Sequence, residues 1–164
     1  MAVSSDILRS FRAPRAVVRG LLGDRREARI LVYLMAACAL IFVAQWPRLA
    51  REAHLSDAVP LDALMSGALF AWLFVAPLAF YGLGGLLTLV LRIARSGVEG
   101  FAVRLALFWA LLVASIPALL YGLVLGFIGP GIEATLTGAL VVATFSVLLV
   151  AGLRVALEAP VADA

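Results

Sequence analysis

Apolar residues along this chain fall into four long runs that are separated by short polar stretches. The runs cover about residues 30–46, 61–91, 101–128 and 132–157. A helix rises about 1.5 Å per residue and a bilayer core is about 30 Å thick, so each run can span it, the first at the lower limit. The pattern predicts an all-α fold: a polytopic membrane helical bundle with four transmembrane helices. We expect this domain at residues 30–158, after a basic arm at residues 1–29 and before a short tail at residues 159–164.

Prolines divide the predicted helices, and two of the helices share a local pattern. In each, tyrosine and glycine follow a proline at the same spacing: Pro77, Tyr81 and Gly82 in the second run, and Pro117, Tyr121 and Gly122 in the third. Proline removes a backbone donor, so we expect a kink at Pro77 in the long second helix. Trp46 and Pro47 close the first run, and we expect the proline to end that helix. Gly122 and Gly126 form a GxxxG pair that lets helices approach closely within the bundle, or between copies.

The basic arm combines an amphipathic pattern with clustered arginines. Ile7, Phe11, Val18 and Leu22 recur at helical spacing. Pro14 divides this stretch into two short helices or starts the second one. A basic amphipathic helix beside a membrane span lies in the headgroup plane, so we expect an N-terminal amphipathic interfacial helix. We expect anionic lipid headgroups as its partner, and the membrane-surface residues are Arg9, Arg12, Arg15, Arg19, Arg25, Arg26 and Arg29.

The distribution of arginine predicts the orientation. With four spans, only Arg48 and Arg51 lie on the far side from the arm, whereas Arg92, Arg95, Arg104 and Arg154 lie on the arm's side. Loops rich in arginine stay in the cytoplasm, so we expect both termini there. Folding the second run into a re-entrant hairpin would move these four arginines to the far side and remove most of that bias. Lysine and asparagine, whose codons are A-rich, are absent, which indicates a GC-rich bacterial genome.

Residues able to carry chemistry are few and scattered. The single cysteine, Cys38, lies in the first apolar run, where a small buried hydrophobe is the natural interpretation. The single histidine, His54, lies in a polar stretch, and with Asp57 it forms the one conceivable catalytic pair. No arrangement typical of a metal site, a phosphate-binding loop or a nucleophile with its base is present. We therefore expect no enzyme activity, no cofactor, no metal and no nucleic-acid partner.

Two short sequences carry a resemblance to a known family. Phe42-Val-Ala-Gln-Trp-Pro-Arg-Leu-Ala-Arg51 and Phe127-Ile-Gly-Pro-Gly131 resemble small bacterial membrane proteins of the Yip family, and the basic arm and the order of apolar runs fit as well. The resemblance implies a polytopic helical bundle without catalytic residues in an alphaproteobacterial inner membrane. Eukaryotic members of the family bind small Rab-type GTPases and act in vesicle traffic. They usually have five spans and this chain has four, and no family site residue is carried over.

Three functions remain open on these grounds. The first is an interaction or scaffold protein, or an accessory subunit, that contacts another membrane protein or a second copy. The alternative is a small transporter or channel built on the proline-containing second and third helices, because broken helices surround the sites of transporters. Ionisable residues lie near the ends of the runs and not at mid-membrane depth, which weighs against ion-coupled transport. A lipid-modifying enzyme comes third.

Overall fold

The computed structural model describes residues 3–56, 58–94 and 97–158, and every regular element in these ranges is helical. The elements are α1 (Val3–Ser10), α2 (Pro14–Leu21), α3 (Glu27–Leu55), α4 (Leu61–Phe70), a π-helical turn (Ala71–Val75), α5 (Ala76–Ala94), α6 (Gly100–Phe127) and α7 (Ile132–Glu158). Elements α4, the π-helical turn and α5 form one continuous helix, called the second spanning helix below. Together with α3, α6 and α7 it makes four helices long and apolar enough to cross a membrane. The prediction of an all-helical, multi-pass membrane protein is confirmed.

The first spanning helix does not end at Pro47, contrary to the expectation from sequence. Helix α3 continues through Pro47 to Leu55, so most of the polar stretch expected as a loop is helical. The backbone of α6 explains why the proline is tolerated, because Pro47 packs against Gly126, where no side chain intervenes. Arg51 then donates to the carbonyl oxygens of Gly126 and Phe127, at 3.3 and 3.5 Å. These tertiary contacts outweigh the local cost of a proline in a helix.

The irregularity expected at Pro77 takes the form of a π-helical turn. The amide of Ala76 donates to the carbonyl of Ala71, which widens the helix just before the proline. Pro77 has no amide hydrogen to offer the carbonyl of Leu73, and a π-helical turn accommodates such a break without ending the helix. The second apolar run is therefore one span, Leu61–Ala94, and not a hairpin.

Helix α6 is the centre of the bundle, packed between α3 and α7. Its first half is enclosed on all sides, since every residue from Phe101 to Ser115 except Arg104 is buried. Its second half is partly exposed on the side away from α3. Helix α6 ends at a tight turn, in which Gly129 adopts a φ of 98° and donates to the carbonyl of Val124 at 3.0 Å. This positive φ explains why glycine occupies the turn.

The basic arm forms two short helices with Pro14 in the first turn of the second, as expected from sequence. Helix α2 buries Val17, Val18 and Leu21 against the bundle, while Phe11 remains exposed. Part of the arm's apolar side is thus buried in the bundle, and part of it is exposed. Its placement at a membrane surface stays a prediction. Residues 159–164, Asp57 and Arg95 lie outside the described ranges, so the predicted tail and the His54–Asp57 pair do too.

Candidate functional site

A buried hydrogen bond joins the basic arm to the central helix. The indole nitrogen of Trp109 in α6 donates to the hydroxyl of Ser10 in α1 at 2.9 Å, and that hydroxyl donates to the carbonyl of Asp6 at 2.8 Å. Trp109 and Ser10 are each 1% exposed. The ring of Tyr33 in α3 meets the ring of Trp109 edge-on, with centroids 5.1 Å apart. Two helices of the bundle therefore form the seat in which α1 docks.

Ion pairs tie the arm and its linker to the ends of the spanning helices. Arg19 pairs with Glu158 at the end of α7 at 2.8 Å, and Arg25 pairs with Glu99 beside the start of α6 at 3.1 Å. Arg104 of α6 pairs with Glu27 at the start of α3. The beginning of the chain and the end of the last helix therefore lie at the same end of the bundle. The pairs are largely exposed, so each contributes modestly to stability in water.

The predicted membrane-surface arginines divide into two groups. Besides Arg19 and Arg25, Arg29 pairs with Asp24 at 3.0 Å, and Arg26 approaches the same carboxylate at 3.4 Å. Arg9, Arg12 and Arg15, on and between the two short helices, are exposed. Arg19, Arg25 and Arg29 therefore link the arm and its linker to the ends of the spanning helices, whereas the second group lies at the surface.

The GxxxG pair of α6 is the crossing point between α6 and α3. A side-chain carbon added at Gly122 would lie 1.8 Å from the carbonyl oxygen of Ala44, and one at Gly126 would lie 2.2 Å from Pro47. Helix α3 of the same chain therefore covers both glycines, so this face of α6 is closed to a second copy. Pro117 of the same helix is also buried.

The matching glycine of the second spanning helix has no such neighbour. Tyr81 packs edge-on against Phe108 of α6, with ring centroids 5.0 Å apart, but a carbon added at Gly82 would meet nothing within 4 Å. Pro77 is half-buried. On the outward side, Phe70 and Phe74 stack with centroids 5.7 Å apart and remain 62% and 66% exposed. The glycine of the shared sequence pattern is thus covered by α3 in helix α6 and has no neighbouring helix in the second spanning helix.

A partly open cavity of about 380 Å³ lies among the four spanning helices, in the half of the bundle away from the arm. Helix α3 contributes Ile41, Ala44, Gln45 and Arg48, the π-helical turn contributes Trp72, α6 contributes Leu111, Ala114, Ala118, Tyr121, Gly122 and Leu125, and α7 contributes Val141 and Phe145. The lining is mainly apolar. The GxxxG crossing and the π-helical turn, which the sequence singles out, both border this cavity.

Polar groups on the cavity wall are mostly hydrogen-bond donors without a partner. The amide oxygen of Gln45 accepts from Arg48 at 3.2 Å, and Arg48 pairs with Glu52 at 3.1 Å. Within the described residues, no hydrogen bond is formed by the hydroxyl of Tyr121, the indole nitrogen of Trp72 or the amide nitrogen of Gln45. The wall therefore offers donors to an acceptor on a bound molecule.

The sequence pattern identified Tyr121 and Gly122 but missed Ser10, Gln45 and Trp72 as candidates. Spacing along a helix cannot show that Ser10 meets a residue 99 positions away. Gln45 is the one glutamine in the chain and stands within an apolar run, a signal that could have been followed.

Of the candidate residues for chemistry, the structure describes His54 and Cys38, and these two lie in different surroundings. His54 is exposed in a shallow groove beside the end of α6, and Cys38 is buried among apolar residues of the core. Among residues 3–56, 58–94 and 97–158, no three His, Cys, Asp or Glu side chains come together in a way that could hold a metal ion.

Comparison of the chain with protein-family models, with curated proteins and with solved structures finds no match. The likeness to the Yip family therefore stays a prediction.

Proposed function

We propose that this chain is a non-catalytic interaction protein of a bacterial inner membrane, with both termini in the cytoplasm. Its second spanning helix would bind a transmembrane helix of another protein or of a second copy, as a scaffold or accessory subunit does. The exposed arginines of the arm would lie against anionic headgroups of the cytoplasmic leaflet. The uneven packing of the four helices is the observation that carries this proposal.

The second spanning helix is the least packed of the four. In its most apolar stretch 11% of residues are buried, against 44% in α6, 33% in α3 and 22% in α7. Between helices in lipid, association depends on close packing at small residues, because lipid tails are as apolar as the side chains. Gly82 and Gly85 each have open space where a side chain would be. They offer a neighbouring helix the close approach that Gly122 gives to α3.

A photocrosslinking experiment in native membranes tests this proposal. A benzophenone side chain replaces Phe74 on the second spanning helix or, as the matched control, Val142 on α7. The two residues are 66% and 65% exposed, so both face outward to the same extent. We expect a discrete protein adduct from position 74, identified by mass spectrometry, and only lipid adducts from position 142. A Gly82→Leu variant should lower the adduct yield at position 74, because its side chain blocks close approach.

Equal behaviour at the two positions would count against the proposal. If both positions give lipid adducts alone, then the second spanning helix is an ordinary lipid-facing helix. If both give the same protein adducts at similar yield, contact is nonspecific and the open glycines have no role in it.

A further inference from the structure

We infer that the cavity among the four spanning helices binds one phospholipid, with an acyl chain inside and an ester carbonyl at the donor groups of the wall. This inference goes beyond the proposed function and does not depend on it. The size of the cavity, its unpartnered donors and the order of its wall residues carry the argument.

The size and lining of the cavity call for an apolar occupant. Protein interiors pack closely and leave few voids larger than a water molecule. A volume of about 380 Å³ would hold about a dozen waters at roughly 30 Å³ each. Ile41, Leu111, Val141 and Phe145 offer no hydrogen bonds to such waters. A hydrocarbon chain fits this lining, and the surrounding bilayer supplies one at high local concentration.

The unpartnered donors favour a bound molecule that carries a hydrogen-bond acceptor next to its hydrocarbon chain. Tyr121, Trp72 and Gln45 border the same cavity, and each keeps a hydrogen-bond donor without a protein partner within the described residues. These three residues are half-buried, and a donor without an acceptor is costly where no bulk water reaches it, as within a bilayer. Ester carbonyls of phospholipids are acceptors only, and they join directly to the acyl chain. A free hydrocarbon would leave all three donors unsatisfied.

The wall residues of α3 follow the order of groups in a phospholipid. Ile41, Gln45 and Arg48 occur on successive turns, so apolar, amide and guanidinium groups succeed one another over about 10 Å toward the far end of the bundle. Tyr121 lies at the level of Gln45, because the adjacent Gly122 packs on Ala44. Acyl chain, ester and phosphate are arranged in the same order, and Arg48 is half-exposed where the phosphate would lie.

Native mass spectrometry of the full chain with added phosphatidylglycerol tests this site. Ala118→Phe fills the cavity, and Ala79→Phe places the same side chain on the exposed face of the second spanning helix as a control. We expect one retained lipid for the wild type and for the control, and at least a tenfold loss for Ala118→Phe. Tyr121→Phe keeps the ring and removes one donor, so we expect retention to weaken by about fivefold.

Three outcomes would overturn the inference. The first is equal retention by all four proteins, which would assign the lipid to the outer surface. The second is a copurified molecule other than a phospholipid that Ala118→Phe removes. The third is unchanged retention in Tyr121→Phe at unchanged thermal stability, which would refute the role of the donors. Because Tyr121→Phe is nearly isosteric, the test holds even if Ala118→Phe fails to fold.

Discussion

Replacing Ser10 with alanine should loosen the basic arm without unfolding the bundle. The variant removes the hydroxyl that accepts from the indole nitrogen of Trp109, and both residues are 1% exposed. An unsatisfied buried donor costs about 1–3 kcal/mol, which corresponds to roughly a 5- to 150-fold larger undocked population. Burial of Val17, Val18 and Leu21 contributes at most about 5–9 kcal/mol to docking, so the arm of the variant stays mainly docked.

Hydrogen exchange of the full chain in lipid nanodiscs measures this change. Amide protection in α1 and α2 should fall by the same 5- to 150-fold, while protection in the first half of α6 changes little, because local opening sets the exchange rate. Ser4→Ala is the matched control, since Ser4 lies on the same helix and is exposed. If Ser10→Ala and Ser4→Ala give the same protection in α1, then the buried bond does not hold the arm and the reasoning is wrong.

Further predictions concern packing, helix ends, the cysteine and orientation. Gly122→Ala should lower the free energy of unfolding in detergent by at least about 1–3 kcal/mol, because its added carbon overlaps the backbone of α3. Gly82→Ala should leave the free energy of unfolding unchanged or raise it slightly, because its added carbon meets nothing. Arg51→Met should cost about 1 kcal/mol in a denaturant titration, since it removes a cation from the carbonyl end of α6. A membrane-permeant maleimide should label Cys38 only after unfolding, because the thiol is 0% exposed. Green fluorescent protein fused to the C-terminus should fluoresce, and changing the arm's arginines to glutamine should reduce that signal.

The spanning helices of the fold were predictable, because the apolar pattern that indicates each of them repeats over many residues. The four spanning helices follow from apolar runs of about 17 to 31 residues, since few other structures satisfy the backbone within a bilayer. The continuation of α3 to Leu55 was not predictable, because it depends on Gly126 of another helix receiving Pro47. A local rule that proline ends a helix fails where a distant residue makes room.

The candidate site was predictable only in part, for a related reason. Tyr121 and Gly122 stand out through their pattern, and the structure places both on the cavity wall. The cavity itself depends on how four helices pack together, which no single helix encodes. The docking seat at Trp109 likewise needs three helices together, so neither Ser10 nor Tyr33 could be singled out from its neighbours.

The pairing of the arm with the last helix has a consequence for biosynthesis. Arg19 and its partner Glu158 are separated by 139 residues, and the seat at Trp109 is itself 99 residues beyond Ser10. At 5–20 residues per second, the ribosome makes Glu158 about 7–28 s after Arg19. Through that interval the pair of Arg19 with Glu158 cannot form. The contact between the arm and α7 can therefore form only after the other spanning helices have been made.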